Sequence, residues 1–153
     1  MGVKHFWPWL KQTYGSHIRT ISRAKDNTAG ISVDILAIDM NGVIHNCTQR
    51  VFRYGNHAPK HKRLLCKKVR HTNAMNRRVF EAVANSVEYY RKMVNPKKKL
   101  LLCVDGVAGL SEMSQQRQRR FRSAKEASQD TVFDSNCITP GTQFLDNLTK
   151  YLD

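Results

Sequence analysis

Two short apolar runs, each ending in an aspartate, flank a long amphipathic stretch. The first run is Val33-Asp34-Ile35-Leu36-Ala37-Ile38-Asp39 and the second is Leu100-Leu101-Leu102-Cys103-Val104-Asp105. Ile31 to Asp39 is short and rich in β-branched residues, which predicts a buried strand; residues 100–104 read the same way. Between them, Val79, Val83, Val87, Tyr90 and Val94 recur at spacings of four, four, three and four. That period predicts a helix over residues 73–94, with Arg77, Arg78, Glu81, Glu88 and Arg91 off the apolar stripe and Pro96 closing it. A strand joined to the next through a long helix runs parallel to it, with a right-handed crossover. The expected fold class is therefore α/β, with a parallel-sheet core and flanking helices. Asp39 and Asp105 are then expected at the same edge of the sheet, where open α/β sheets bind ligands.

A carboxylate at the end of an apolar strand is costly unless a counter-charge or metal meets it. Either aspartate alone is most simply the cap of a following turn or helix. The pair, close to an arginine-rich segment, favours a cation site. The segment is Gln115-Gln116-Arg117-Gln118-Arg119-Arg120-Phe121-Arg122, within a very basic helix expected over residues 110–128. Gln116, Arg119 and Arg120 lie at i, i+3 and i+4 and share one face. Guanidinium groups fork onto phosphate oxygens and Gln donates a further hydrogen bond, so this face suits a terminal phosphate. Arg117, Arg122 and Lys125 are expected on the solvated side or against a nucleic-acid backbone. His45 follows Asp39 by six residues. It is expected beyond a turn at Asn41-Gly42, where an imidazole either is structural or stacks on a base.

The remaining segments are read from composition and period. Residues 4–14 suggest an amphipathic helix with Phe6, Trp7 and Leu10 on one side and Pro8 in its first turn. Residues 22–30 have loop composition. Residues 48–71 read mainly as a basic solvated loop carrying Lys60, Lys62, Arg63, Lys67, Lys68 and Arg70; the alternative is a phosphate-facing arm. Pro140-Gly141 marks a turn before a helix over 142–152 with Phe144, Leu145, Leu148 and Leu152.

Charge narrows the partner. The 153 residues carry 26 Lys+Arg against 12 Asp+Glu, a net charge of +14. That excess favours a polyanion, above all nucleic acid, through phosphate neutralisation and counterion release. A soluble basic surface or a ribosomal-type structural protein is the plainer reading. With 41% hydrophobic and 25% charged residues the chain is globular, with enough length for one cored domain. No membrane partner is expected, since there is no long apolar segment or basic amphipathic anchor. No signal peptide is visible, and Phe6 stands where myristoylation needs Ser or Thr. The expected location is intracellular, so Cys47, Cys66, Cys103 and Cys137 are expected as free thiols. The triplets at Asn46 and Asn147 then have no bearing on glycosylation. His45-Asn46-Cys47 and His61 to Cys66 fit no common zinc spacing, and zinc is not expected.

At these motifs the chain resembles the XRN family of 5′→3′ exoribonucleases. The matching segments begin with Met1-Gly2-Val3, Phe6 and Trp9-Leu10, then Ile38-Asp-Met-Asn-Gly-Val-Ile-His-Asn-Cys47. They continue with Val104-Asp-Gly-Val-Ala108, Met113, Gln115 through Glu126, and Phe133-Asp-Ser-Asn-Cys-Ile-Thr-Pro-Gly-Thr142. The resemblance implies the N-terminal portion, residues 1–153, of a nuclease domain with a flap-endonuclease-like (PIN-like) α/β fold. It implies a Mg²⁺-dependent (or Mn²⁺-dependent) exonuclease that degrades single-stranded 5′-monophosphorylated RNA, in the cytoplasm or nucleus. Asp39 and Asp105 match two catalytic metal-site carboxylates. His45 matches the histidine that stacks on the first base, and Gln116, Arg119 and Arg120 match the 5′-phosphate pocket. A noncatalytic nucleic-acid-binding module is the alternative.

The chain departs from the family pattern in three places. Gly109-Leu110-Ser111-Glu112 stands where the family reads Pro-Arg-Ala-Lys, so Glu112 replaces a pocket lysine. Lys4 and Pro8 alter the N-terminal pattern. The family's later glutamate and aspartate ligands lie beyond Asp153, and a family insertion before Phe133 is shortened. The chain by itself is therefore expected to show little or no nuclease activity, with the remainder of the nuclease domain as its partner.

Overall fold

The computed structural model describes residues 3–18, 32–58, 73–126 and 133–153. The loop expected at 22–30, the start of the first strand at Ile31, the basic arm from Lys60 to Arg70 with His61 and Cys66, and the last residues of the basic helix at 127–128 lie outside the described residues. The elements run α1 (Phe6–Tyr14), β1 (Ile35–Asp39), α2 (Met40–Phe52), α3 (Asn73–Val94), β2 (Lys99–Cys103), α4 (Leu110–Glu126) and α5 (Gln143–Leu152).

β1 and β2 pair in parallel, with Ile35 opposite Lys99 and Asp39 opposite Cys103. The two chains enter the sheet together: Lys98 N–H donates to the Asp34 carbonyl at 2.8 Å, and Lys98 Nζ meets the Asp34 carboxylate at 2.7 Å. The α/β class and the parallel crossover are as expected. The buried strands are not. Ile38 alone of β1 is buried, and Leu36 and Leu100 pack partly against the core. Ile35 remains 51% exposed and Leu101 44%. The physical reason is that among the described residues the sheet has two strands and helices cover one of its faces. Alternation along a strand then buries every second residue at most.

A helix follows β1 directly, where a turn at Asn41-Gly42 and then a loop were expected. Asn41 and Gly42 form the first turn of α2, which runs on to Phe52. Met40, Ile44, Cys47 and Phe52 are buried along it at helical spacing. Gly42 is exposed and a Cβ there would meet nothing within 4 Å, so helix is no steric problem for its backbone and costs only its propensity. The helix ends at Arg53, whose backbone is left-handed (φ 56°, ψ 52°) and whose N–H donates to the Gln49 carbonyl.

The core lies among α2, α3, α5 and the segment before α5. Val79, Phe80, Val83 and Val87 face it from α3, and Phe144, Leu145 and Leu148 from α5. Phe133 stacks on Phe52 with ring centroids 4.5 Å apart and meets Phe144 edge-on at 5.7 Å. Such aromatic pairs add roughly 0.5–1.5 kcal/mol each beyond their burial. Tyr90, expected on the apolar stripe, is 37% exposed, while Phe80 takes a core place next to Val79. α1 forms, but Phe6, Trp7 and Trp9 are about half exposed, so its apolar side is not buried. No described helix is long and apolar enough to cross a membrane.

Candidate functional site

The junction of β1 and α2 sets the site. Asp39 has extended backbone (φ −71°, ψ 107°), and its Oδ1 accepts the Asn41 backbone N–H at 3.1 Å. It is therefore the N-cap of α2. The side chain of Asn41 continues the connection: its Nδ2 donates to the Asp105 carboxylate. Asn41 thus bridges two aspartates that lie far apart in sequence and at the same end of a parallel sheet. Sequence reasoning missed this residue. The signal was present in the buried stripe Met40, Ile44, Cys47 and Phe52, which makes Asp39 an N-cap rather than the start of a turn.

Next to Asp105 lies a cavity of about 260 Å³. His45 of α2, Asp105 itself, and Gln116, Arg119 and Arg120 of α4 line it, together with Asn41 and the turn from Ser135 to Pro140. The structure therefore gathers five of the six candidate site residues around one space. Asp39 is the sixth. It lines a neighbouring cavity of about 670 Å³ between α2 and α3. The two carboxylates thus line adjoining cavities, with Asn41 hydrogen-bonded to both.

Each wall has a clear chemical character. Arg120 Nη2 donates to Gln116 Oε1 at 3.3 Å, one helical turn apart, which orients the guanidinium along the cavity wall. His45 is half-buried, and its burial holds the imidazole below its ordinary value of 6.5. It is therefore a neutral aromatic ring at neutral pH. Thr48 Oγ1 donates to the His45 carbonyl at 2.9 Å and fixes that turn of α2. Thr142 caps α5 and also donates to the Thr139 carbonyl at 2.8 Å, which shapes the opposite wall. Glu112 is exposed, one turn before Gln116 on α4, and does not line the cavity.

Asp39 and Asp105 are both exposed oxygen donors. Two carboxylates suit one hydrated Mg²⁺ in kind and number; a two-cation arrangement needs more. Among the described residues no three His, Cys, Asp or Glu side chains gather as a metal cluster. Cys47, Cys103 and Cys137 are free thiols. Burial, then the charge of Asp134, pushes Cys137 up to about 11, and a thiol so raised is a weak nucleophile.

The family described as the XRN 5′-3′ exonuclease N-terminus matches residues 1–153. The chain belongs to this family. Individual XRN proteins are similar along nearly its whole length. The 5′-3′ exoribonuclease 1 of Schizosaccharomyces pombe is 31% identical over 165 residues, covering 99% of this chain and 11% of that protein. The 5′-3′ exoribonuclease 2 homolog of Drosophila melanogaster is 33% identical over 193 residues, covering 99% of this chain and 19% of its own length. The human 5′-3′ exoribonuclease 1 is 32% identical over 166 residues, with 99% and 9% covered. The XRN chain described here thus spans between about a tenth and a fifth of the length of these relatives.

Proposed function

We propose that this chain is the N-terminal region of a 5′→3′ exoribonuclease and that it grips the 5′-monophosphate end of single-stranded RNA. The observation that carries the reading is the cavity shared by His45, Asp105, Gln116, Arg119 and Arg120. Two guanidinium groups, each a planar fork, and an amide supply donors for phosphate oxygens. The neutral His45 ring offers a face on which the first base stacks without adding charge. Asn41 holds the Asp105 carboxylate beside that phosphate, and the Asp39 carboxylate lies across the same helical turn. These two side chains would hold a divalent cation, Mg²⁺ by their oxygen character. When bound, the ion supplies an activated water and neutralises charge developing at the scissile phosphate. The chain's own contribution is to place the RNA end, fix its polarity and exclude the opposite terminus. We assign the two-strand parallel unit to a flap-endonuclease-like (PIN-like) fold, completed by further carboxylates and strands of the full nuclease domain, and we place it inside the cell.

The test compares 5′-monophosphate with 5′-hydroxyl oligoribonucleotides in a binding assay. The monophosphate form should bind at least fivefold more tightly, and Arg120→Ala should erase the difference. Equal binding of both forms by the wild-type chain refutes the reading. Salt-dependent binding with no preference for the 5′ end or for Mg²⁺ would instead establish a noncatalytic module, consistent with the +14 net charge.

A further inference from the structure

We propose that the groove between α2 and α3 is a second contact for single-stranded RNA and receives the nucleotides that follow the 5′ terminus. This rests on the reading that the neighbouring cavity holds the RNA end. The groove encloses about 670 Å³, within the roughly 300–1,000 Å³ of small-ligand sites. Asn46 and Arg50 stand on its α2 wall, and Asn85, Tyr89 and Tyr90 on its α3 wall. Tyr89 is 44% and Tyr90 37% exposed, with ring centroids 5.6 Å apart in an edge-to-face arrangement. Tyr90 occupies a position that the apolar stripe of α3 would otherwise bury, so an aromatic face is presented to the groove instead of the core. Arg50 is exposed, and no acidic residue pairs with it among the described residues.

This combination matches single-stranded nucleic acid. Tyrosine rings stack on bases of any sequence, amides meet base edges, and a guanidinium takes the phosphate between them. Val43, Cys47 and Ser86 also line the groove, and the amides, phenols and guanidinium beside them are the groups that meet bases and phosphates. The position of the groove gives the path its direction. Asn41 and His45 line the 5′-end cavity, while Gly42 and Asn46, each the next residue along α2, line the groove. Asp105 lies on the first side and Asp39 on the second. A strand whose 5′ end sits in the first cavity therefore passes the two carboxylates and enters the groove.

The test measures binding of 5′-phosphorylated oligouridylate and of uridine 5′-monophosphate to the 153-residue chain. Arg50→Ala and Tyr90→Ala should each weaken oligouridylate about tenfold and leave the mononucleotide unchanged. Arg120→Ala should weaken both. Arg50→Ala should also lower the slope of log affinity against log salt by about 0.7, as for one lost single-strand phosphate contact. As a measurement on the wild-type chain, photoreactive thiouridine within the oligomer should cross-link to Tyr89 or Tyr90. If both groove variants bind oligouridylate like wild type and the cross-link maps elsewhere, the groove proposal falls while the 5′-end reading stands. A protein segment as the true occupant would give that same result. If the wild-type chain binds neither RNA ligand, both readings fall together.

Discussion

Asp39 has two roles that substitution can separate. As N-cap it accepts the Asn41 amide at 3.1 Å, and as an exposed carboxylate it is one of two proposed cation ligands. Removing an N-cap oxygen costs about 1 kcal/mol, within a range of roughly 0.5–2. Asp39→Ala should therefore lower unfolding stability by about 1 kcal/mol, roughly fivefold in the unfolding equilibrium. Asn is as good an N-cap as Asp, so Asp39→Asn keeps the hydrogen bond and loses only the charge–dipole attraction. At an exposed helix end that attraction is worth about 0.3–0.5 kcal/mol. The cation role predicts a different pattern. Mg²⁺ at about ten times its Kd stabilises a binding-competent chain by about 1.4 kcal/mol. That increment should be present in wild type and absent in both variants. Urea unfolding of all three proteins, with and without Mg²⁺, reads both quantities at once. If Asp39→Asn destabilises as much as Asp39→Ala, the capping argument is wrong. If Mg²⁺ stabilises Asp39→Asn as much as wild type, Asp39 is not a cation ligand.

Three further outcomes follow from particular residues. His45 is held below 6.5 by burial, so its protonation favours the unfolded chain; the stability it contributes is full above about pH 6.5 and is lost as pH falls through the lower folded value. Unfolding midpoints measured from neutral to mildly acidic pH should fall in wild type and fall less steeply in His45→Gln; parallel profiles would exclude the burial argument. Arg53 sits at φ 56°, a left-handed conformation that costs a non-glycine residue roughly 1–2 kcal/mol. After the unfolded-state entropy of glycine is deducted, Arg53→Gly should gain about 0.5–1 kcal/mol, read as a higher urea midpoint at unchanged m. Glu112 lies on the stripe of Gln116 and Arg120; exposed charge pairs are worth up to about 1 kcal/mol, so Glu112→Lys should raise the ratio of 5′-monophosphate to 5′-hydroxyl RNA binding roughly two- to fivefold, and an unchanged ratio would show that Glu112 does not act on the pocket.

Much of the chain's local structure was legible because hydrophobic period reports directly on helix faces. Val79, Val83 and Val87 are buried on α3, and Phe144, Leu145 and Leu148 on α5, at the spacing that announced them. The parallel crossover followed from the length of the helix between the two strands. α2 was not legible because Asn-Gly is a strong local turn signal. Here burial of Met40, Ile44, Cys47 and Phe52 outweighs it, and Gly42 merely sits on the solvent side. Tyr90 was misread for the reverse reason: a residue at core spacing leaves the core when a neighbouring face, carrying Phe80, meets α5 instead. Phe80 and Phe144 lie 5.4 Å apart, a contact no local pattern contains.

By itself the sequence determined the residue types of the candidate site: two carboxylates at or just past strand ends, an arginine–glutamine helix face and a nearby histidine. It also determined their coarse placement, because period and connection length decide strand direction and thus put both aspartates at one sheet end. Only the tertiary structure decided how those groups are divided. Asn41 bonds to both Asp39 and Asp105, and the two carboxylates line adjoining cavities instead of one. That link to Asp105 is a side-chain hydrogen bond between residues 64 positions apart. Such a contact forms only once the parallel strands are in register, and no local preference encodes it.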